Sequence, residues 1–318
     1  MKISVLGCGR WGSFHAWYAQ KLGHKVILWG REGSSNLATL RETRQNEYLT
    51  LPADVNLTSD LTMAVSNAEI CIISISSQQL RGFARRLQQL DLDEKPLVLC
   101  MKGLEASTGK RLTEIMNEEM GNKWPVIVWV GPGHVQDFVQ GIPNCMVMAS
   151  DNNELTKKIV DVFSGPLIRF YYGEDLLGTE IGAAAKNVIG LAAGMLDGLG
   201  YSSLKGALMS RGTRELSRLI AKMGGDAQTV YGLSHLGDYQ ATLFSEHSNN
   251  RRYGENFIKK VPMIKLAEGV NTSKAMVELG KKYDVELPIC ETVCNIVCNG
   301  YNPKEALNEL FMRSTKAE

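Results

Sequence analysis

In the first half of the chain, short apolar runs alternate with longer stretches in which apolar residues recur at helical spacing. Residues 3–6 and 25–29 are aliphatic, β-branched runs that predict strands, and 11–22 between them carries a helical pattern that stops at Gly23. Further strand-like runs follow at 69–75, 96–100, 125–130 and 144–149, with helical spacing over 78–90 and 112–120. Such alternation predicts βαβ units and a mostly parallel sheet, and the unbroken apolarity of 70–75 and 126–130 fits strands covered on both faces. From Glu180 onward the strand-like runs stop, and 180–199, 205–223, 272–283 and 289–299 all carry helical periodicity. We expect an α/β domain over 1–178 and an all-α domain over 179–318.

The turn after the first predicted strand holds Gly7, Gly9 and Gly12 in G-x-G-x-x-G spacing, directly before a predicted helix. There Gly7 permits a tight turn, Gly9 admits backbone to a pyrophosphate, and Gly12 lets helix pack on strand, so the turn is a candidate dinucleotide site. A carboxylate for the ribose 2′-hydroxyl belongs at the end of the second strand, but Gly30 stands there and Arg31 follows. An arginine pairs with a 2′-phosphate, which favours NADPH over NADH. Glu32 next to it, or an Arg31 that is merely solvated, leaves the NADH reading open.

Composition narrows the partners. Lys plus Arg total 35 against 34 for Asp plus Glu, a formal charge of +1 over 318 residues, so no broad field favours nucleic acid or an anionic membrane. Hydrophobic residues at 44% and charged residues at 22% exclude a disordered or fibrous chain. No apolar run reaches about 18 residues and no signal-peptide pattern occurs, which predicts a soluble, cytoplasmic protein without membrane insertion. The odd set of cysteines, scattered through apolar runs and turns, predicts reduced thiols rather than a disulfide framework. Cys290, Cys294 and Cys298 share one helical face; this spacing lacks a fourth ligand, so a core-facing helix is preferred to a metal site and no metal is expected. The polar tail 313–318 is expected to fray.

Two lysines carry candidate chemistry. Lys186 lies in a small, apolar helical stretch, Ile181-Gly-Ala-Ala-Ala-Lys186-Asn187, where a charged amine is costly unless it snorkels out or has a task. Lys102 follows the strand at 97–100 and so falls at the carboxyl end of the sheet, where such folds bind ligands. A second cation beside a desolvated lysine lowers its pKa toward neutrality and makes it a proton donor and acceptor. A structural role for either lysine is the alternative.

Motifs continue through nearly the whole chain: Gly7-Cys-Gly-Arg-Trp-Gly12, Ser77-Gln78, Lys102-Gly-Leu-Glu105, Gly131-Pro132, Glu180 with Lys186-Asn187-Val188, Arg211-Gly212, Gly232-Leu-Ser-His-Leu-Gly-Asp238, Arg251-Arg252-Tyr-Gly254, Glu268-Gly269 and Leu287-Pro288-Ile289. In this order they resemble the soluble, bacterial-type NAD(P)-dependent glycerol-3-phosphate dehydrogenases. The resemblance implies a Rossmann-type domain with a parallel sheet followed by an all-α domain of the 6-phosphogluconate-dehydrogenase-like kind. It implies interconversion of dihydroxyacetone phosphate and sn-glycerol 3-phosphate with NADP or NAD, a homodimer, and a place in phospholipid precursor synthesis. By the same resemblance Lys186 is the general acid and base, with Lys102, Asp238 and Thr242 around the same oxygens. Lys102, Gly131, Gly133, Asn187, Asp238, Ser248, Asn249 and Asn250 would hold the substrate. Gly7, Gly9, Arg10, Trp11, Gly12, Arg31, Lys102, Val135, Asn249 and Glu268 would hold the cofactor. His235 beside Asp238 is read as a packing or hydrogen-bonding residue, and a turn or cap is the alternative for Asp238 itself.

The chain departs from that family near the phosphate segment. The usual Ser-Arg-Asn-Arg-Arg reads Ser248-Asn249-Asn250-Arg251-Arg252, so an amide replaces a guanidinium at 249. Loss of a charge-assisted bond costs about 1.5–3 kcal/mol, or about 10- to 150-fold in affinity, unless Arg251 or a protonated His134 compensates. Tyr201-Ser202-Ser203 stands for the usual Gly-Asp-Asn, and Ser76 for a proline. Two other readings therefore stand beside the first: a paralogue reducing another small, often phosphorylated, carbonyl compound, and a weakly active nucleotide-binding sensor. Retention of all four presumptive catalytic residues counts against the sensor.

Overall fold

A computed structural model describes residues 1–90, 93–121, 124–263 and 267–314; the end of the tail, 315–318, and the fraying expected there lie outside the described residues. The chain forms two compact units, one of Met1–Met101 with Leu112–Leu176, the other of Lys102–Arg111 with Leu177–Glu318.

The first unit is built on strands β1 (Lys2–Leu6), β2 (Lys25–Trp29), β3 (Asn56–Thr58), β4 (Ile70–Ile73), β5 (Leu97–Leu99), β6 (Val126–Val130), β7 (Asn144–Ala149) and β8 (Ile168–Gly173). They form one sheet in the order β3-β2-β1-β4-β5-β6-β7-β8, with every neighbouring pair parallel except β6 and β7. Helices α1 (Arg10–Lys21), α2 (Ser35–Thr43), α3 (Leu61–Ser66), α4 (Leu80–Gln88), α5 (Leu112–Met120), α6 (Val135–Val139) and α7 (Asn153–Phe163) lie between the strands in sequence. Because successive strand residues face opposite ways, Val5, Ile72 and Val98 join one apolar core with α1, and Leu6, Ile73 and Leu99 join another with α3, α4 and α5. That two-sided cover explains the near-continuous apolar runs. The carboxyl ends of β1 and β2 thereby hold the glycine turn and Gly30 at one edge of the sheet.

The second unit is helical: α8 (Leu176–Leu199), α9 (Lys205–Lys222), α10 (Asn249–Lys259), α11 (Glu268–Lys282), α12 (Pro288–Asn299) and α13 (Pro303–Phe311). Residues 178–196 of α8 are buried without a break, so this is a central helix surrounded on all sides. Gly182, Lys186, Gly190, Gly194 and Gly198 fall four apart, on one inclined row of its surface. The glycines make that row a groove. A Cβ on Gly194 would stand 1.8 Å from the Arg251 carbonyl oxygen, and one on Gly254 of α10 would stand 2.1 Å from that of Leu191, so α8 and α10 touch backbone to backbone. Cys290 and Cys294 of α12 are buried, as a core-facing helix requires. Among the described residues, no helix is long and apolar enough to cross a membrane.

Candidate active site

The first unit supplies a cradle of backbone. Gly7 has φ +121°, and a Cβ there would stand 2.2 Å from the Ser74 carbonyl oxygen; one on Gly12 would stand 1.7 Å from the carbonyl oxygen of Gly7. Any side chain at either position would push β1, β4 and α1 apart. Gly9, by contrast, has nothing within 4 Å of where its Cβ would be, and it opens α1 with no side-chain cap on the helix amides. An open glycine before an uncapped helix start fits a pyrophosphate, whose oxygens accept from those amides. Trp11 packs edge-on against Phe14, with ring centroids 5.5 Å apart. Arg10 donates to Gln136 Oε1 at 2.8 Å and reaches His134 Nδ1 at 3.4 Å, which ties the start of α1 to the Gly131–Val135 turn. Gly131 and Gly133 both have positive φ, +137° and +133°, and Val135 is fully buried as the first residue of α6. Arg31 is exposed in the turn after β2.

The second unit gathers Lys102, Lys186, Asp238 and Thr242. Lys186 leaves α8 between Gly182 and Gly190, where the groove leaves room for the segment 235–244 to descend. A Cβ on Gly190 would come within 2.8 Å of Thr242 Cγ2, and one on Gly182 within 3.1 Å of His235 Cβ. Asp238 Oδ2 accepts from Lys102 Nζ at 2.6 Å and from Lys186 Nζ at 2.7 Å, while Lys186 also donates to Thr242 Oγ1 at 2.8 Å. Asp238 is 1% exposed, Thr242 3% and Lys186 8%. Two ammonium groups on one buried carboxylate leave a net positive charge largely withdrawn from water, with Lys102 its more exposed member, the local field an oxyanion needs. Burial, only partly offset by Asp238 and reinforced by the Lys102 charge, brings the Lys186 pKa down to about 8.

The neighbours hold this cluster in place. Asn187 donates to the Lys102 carbonyl oxygen at 3.2 Å, Asn250 donates to Asn187 Oδ1 at 3.0 Å, and Gly269 N donates to Asn250 Oδ1 at 3.0 Å. This chain of amides links the Lys102 segment to α8, α10 and α11. The other end of the segment is clamped by Arg111, which donates to buried Glu180 at 2.7 Å. Ser248 caps α10, accepting from Arg251 N at 3.3 Å; Asn249 is the first residue of α10 and Glu268 the first of α11, both half-buried.

His235 is fully buried between two partners. Its Nδ1 faces the Gly182 carbonyl at 2.9 Å and its Nε2 faces the Tyr239 hydroxyl at 2.6 Å. A carbonyl only accepts, so Nδ1 carries the proton and Nε2 is taken up by Tyr239. Burial, with a further contribution from the Lys186 charge, brings its pKa down to about 4, and the ring stays neutral as a strut between α8 and the Asp238 turn.

Arg251 does not supply the charge missing at 249. Its guanidinium donates to Asp197 at 2.6 Å, to Glu255 at 3.2 Å and to the Ser245 carbonyl at 3.1 Å. Asp197 also accepts from Lys205 at 2.7 Å and from Ser202 at 2.6 Å, so one of the unusual serines after α8 serves this ion-pair network. The Arg111–Glu180 clamp and the amide chain have no local signal in the sequence; the small residues of α8 do announce close helix packing, and the four-residue spacing of glycine around Lys186 is the further signal that marks the groove.

Family models described as the N-terminus and the C-terminus of NAD-dependent glycerol-3-phosphate dehydrogenase match residues 2–156 and 175–308. Over its full length the chain is 39% identical to the glycerol-3-phosphate dehydrogenase [NAD(P)+] of Fusobacterium nucleatum, covering 98% of that protein, and 37% identical to that of a Thermoanaerobacter species, covering 99%. Among solved structures, it is similar to a glycerol-3-phosphate dehydrogenase from Coxiella burnetii, with a TM-score of 0.91 at 27% identity, over 98% of this chain and 99% of that one.

Proposed function

We propose that this chain, which belongs to the NAD-dependent glycerol-3-phosphate dehydrogenase family, interconverts dihydroxyacetone phosphate and sn-glycerol 3-phosphate with NAD(P)H. The observation that carries the reading is the pair of lysines on one buried carboxylate, with Lys186 near neutrality. When bound at the glycine turn, the nicotinamide cofactor supplies hydride to a carbonyl carbon or takes it from an alcohol. Lys186 does the complementary proton work. Two of its three ammonium donors go to Asp238 and Thr242, and the third is directed at the substrate oxygen, which takes a proton as negative charge builds on it. In the alcohol-oxidising direction the neutral amine removes that proton. Lys102 keeps a second positive charge on the same oxygen, and Asp238 fixes both amines so that neither must reorganise during the reaction. Asn187 and Asn250 orient Lys102 and the start of α10, and the substrate phosphate is received at that helix start, beside Ser248 and Asn249.

Arg31, exposed beside Gly30 rather than a carboxylate, supports a preference for NADPH. A homodimer and a cytoplasmic setting follow from the resemblance.

A second reading is favoured by Asn249 together with the commitment of Arg251 to carboxylates: a related carbonyl substrate with a weaker demand on the phosphate subsite. One assay separates them. We expect cofactor oxidation with dihydroxyacetone phosphate, faster with NADPH than with NADH at matched concentration, and an Asn249→Arg variant with a KM lowered about tenfold. Nucleotide binding without turnover would overturn the first reading, and loss of activity on adding the arginine would favour the second.

A further inference from the structure

The turn after β1 and the end of β2 meet at one crowded corner. Gly30 does not have a positive φ, so backbone conformation does not require a glycine there. Space does. A Cβ on Gly30 would stand 2.5 Å from Cys8 Sγ, 3.4 Å from Cys8 Cβ and 3.0 Å from Leu37 Cβ, when carbon contacts settle at about 3.5–4.0 Å. The obstacles are fixed: Cys8 is 6% exposed and Leu37, in the first turn of α2, is 2% exposed. Both backbones are also held, because Gly7 N donates to the Trp29 carbonyl at 2.9 Å and Gly30 N to that of Thr58 at 3.0 Å. The thiol completes the corner by lying 3.7 Å from Ser34 Oγ, at the cap of α2.

We propose that Cys8 is a cofactor-selectivity residue: its thiol fills the space that a side chain at 30 would need, and so bars the chain from placing a carboxylate on the ribose. Such a carboxylate would accept from a 2′-hydroxyl and repel a 2′-phosphate. With the position closed, the donors at the corner are Ser34, Arg31 and the start of α2, and the nearest carboxylate is that of Glu32, exposed two residues beyond the strand-end position. The inference rests on the glycine turn being the nicotinamide dinucleotide site. It makes Cys8 and Gly30 a coupled pair, in which the residue between the first two glycines decides what the second strand can carry.

The test is a double-mutant cycle of Cys8→Gly and Gly30→Asp on the full chain, read without substrate. Thermal midpoints are measured together with NADH and NADPH dissociation constants from tryptophan fluorescence. Gly30→Asp alone should lower the midpoint and weaken both nucleotides. In the Cys8→Gly background the same change should cost far less stability and shift the NADH to NADPH affinity ratio toward NADH by about tenfold or more. If Gly30→Asp fails to fold alone but folds beside Cys8→Gly, the coupling is shown in its strongest form. Equal loss of stability in both backgrounds, failure of both to fold, or a single Gly30→Asp variant that turns to NADH without loss of stability would each overturn the role of Cys8. A stable wild-type protein that binds neither nucleotide would overturn the underlying cofactor reading instead.

Discussion

The glycines of both units bring backbones together, but only those of the second also make room for a side chain. In the first unit Gly7 and Gly12 remove side chains so that strand, turn and helix meet backbone to backbone, and the product is a surface of amides with no formal charge. In the second unit Gly194 and Gly198 seat α8 against α10, while Gly182 and Gly190 leave room for the segment 235–244, and between these two a single long side chain, Lys186, meets its partners. One arrangement offers shape and backbone dipole, the other a largely buried excess of positive charge. A nearly neutral chain can thus serve two anionic ligands, because each unit concentrates its own local donors.

The comparison can be broken at its chemical end first. Lys186→Ala should lower turnover by about 10²–10⁴-fold, the range for a positioned general acid, while the nucleotide dissociation constant stays near that of the wild type. Single-turnover kinetics beside fluorescence titration reads both quantities, and near-normal turnover would remove Lys186 from its assigned role. Breaking the groove acts on stability. A methyl at Gly194 meets the Arg251 backbone rather than a movable side chain, so Gly194→Ala should cost about 1–3 kcal/mol in denaturant unfolding, with no tightening of nucleotide binding. Unchanged stability would mean that α8 and α10 are not seated backbone to backbone.

The pH dependence sharpens the charged half. With the Lys186 pKa brought down to about 8, mainly by burial, the ammonium that reduction requires is full below that value and lost above it. The reductive kcat/KM should therefore fall about tenfold per pH unit above about 8, and the oxidative one should rise toward a plateau through the same region. The stability contribution of this residue follows from the same shift. Its folded pKa lies below the ordinary value of 10.5, so the unfolded chain holds the extra proton between about 8 and 10.5, and the penalty of burying the charge is relieved as pH climbs through that window. A reductive profile flat to pH 10 would exclude Lys186 as the proton donor.

The sequence pattern showed most where residues are buried on both sides. Strands β2 and β7 and helix α5 coincide with the apolar or periodic runs that predicted them. Strand β3 left no run because it has three residues, only one of them buried, and β8 was hidden because its Tyr171 and Tyr172 are exposed on an edge of the sheet. Direction was out of reach as well, since β7 is as apolar as its neighbours and yet antiparallel to β6. At the site, Lys186 could be singled out because a charge in an alanine-rich helix needs a reason. Glu180 stood among the motifs, but its pairing with Arg111 could not be read, because an ion pair between distant residues has no local pattern.

The segment Lys102–Arg111 emerges from the ribosome in the middle of the first unit but packs with the second, where Asp238, Asn187 and Glu180 are its partners. During synthesis it must wait as a loop, its lysine solvated, until α8 and the Asp238 turn have been made. A nascent chain that stops short of Asp238 lacks the carboxylate on which both lysines meet and cannot form the cluster.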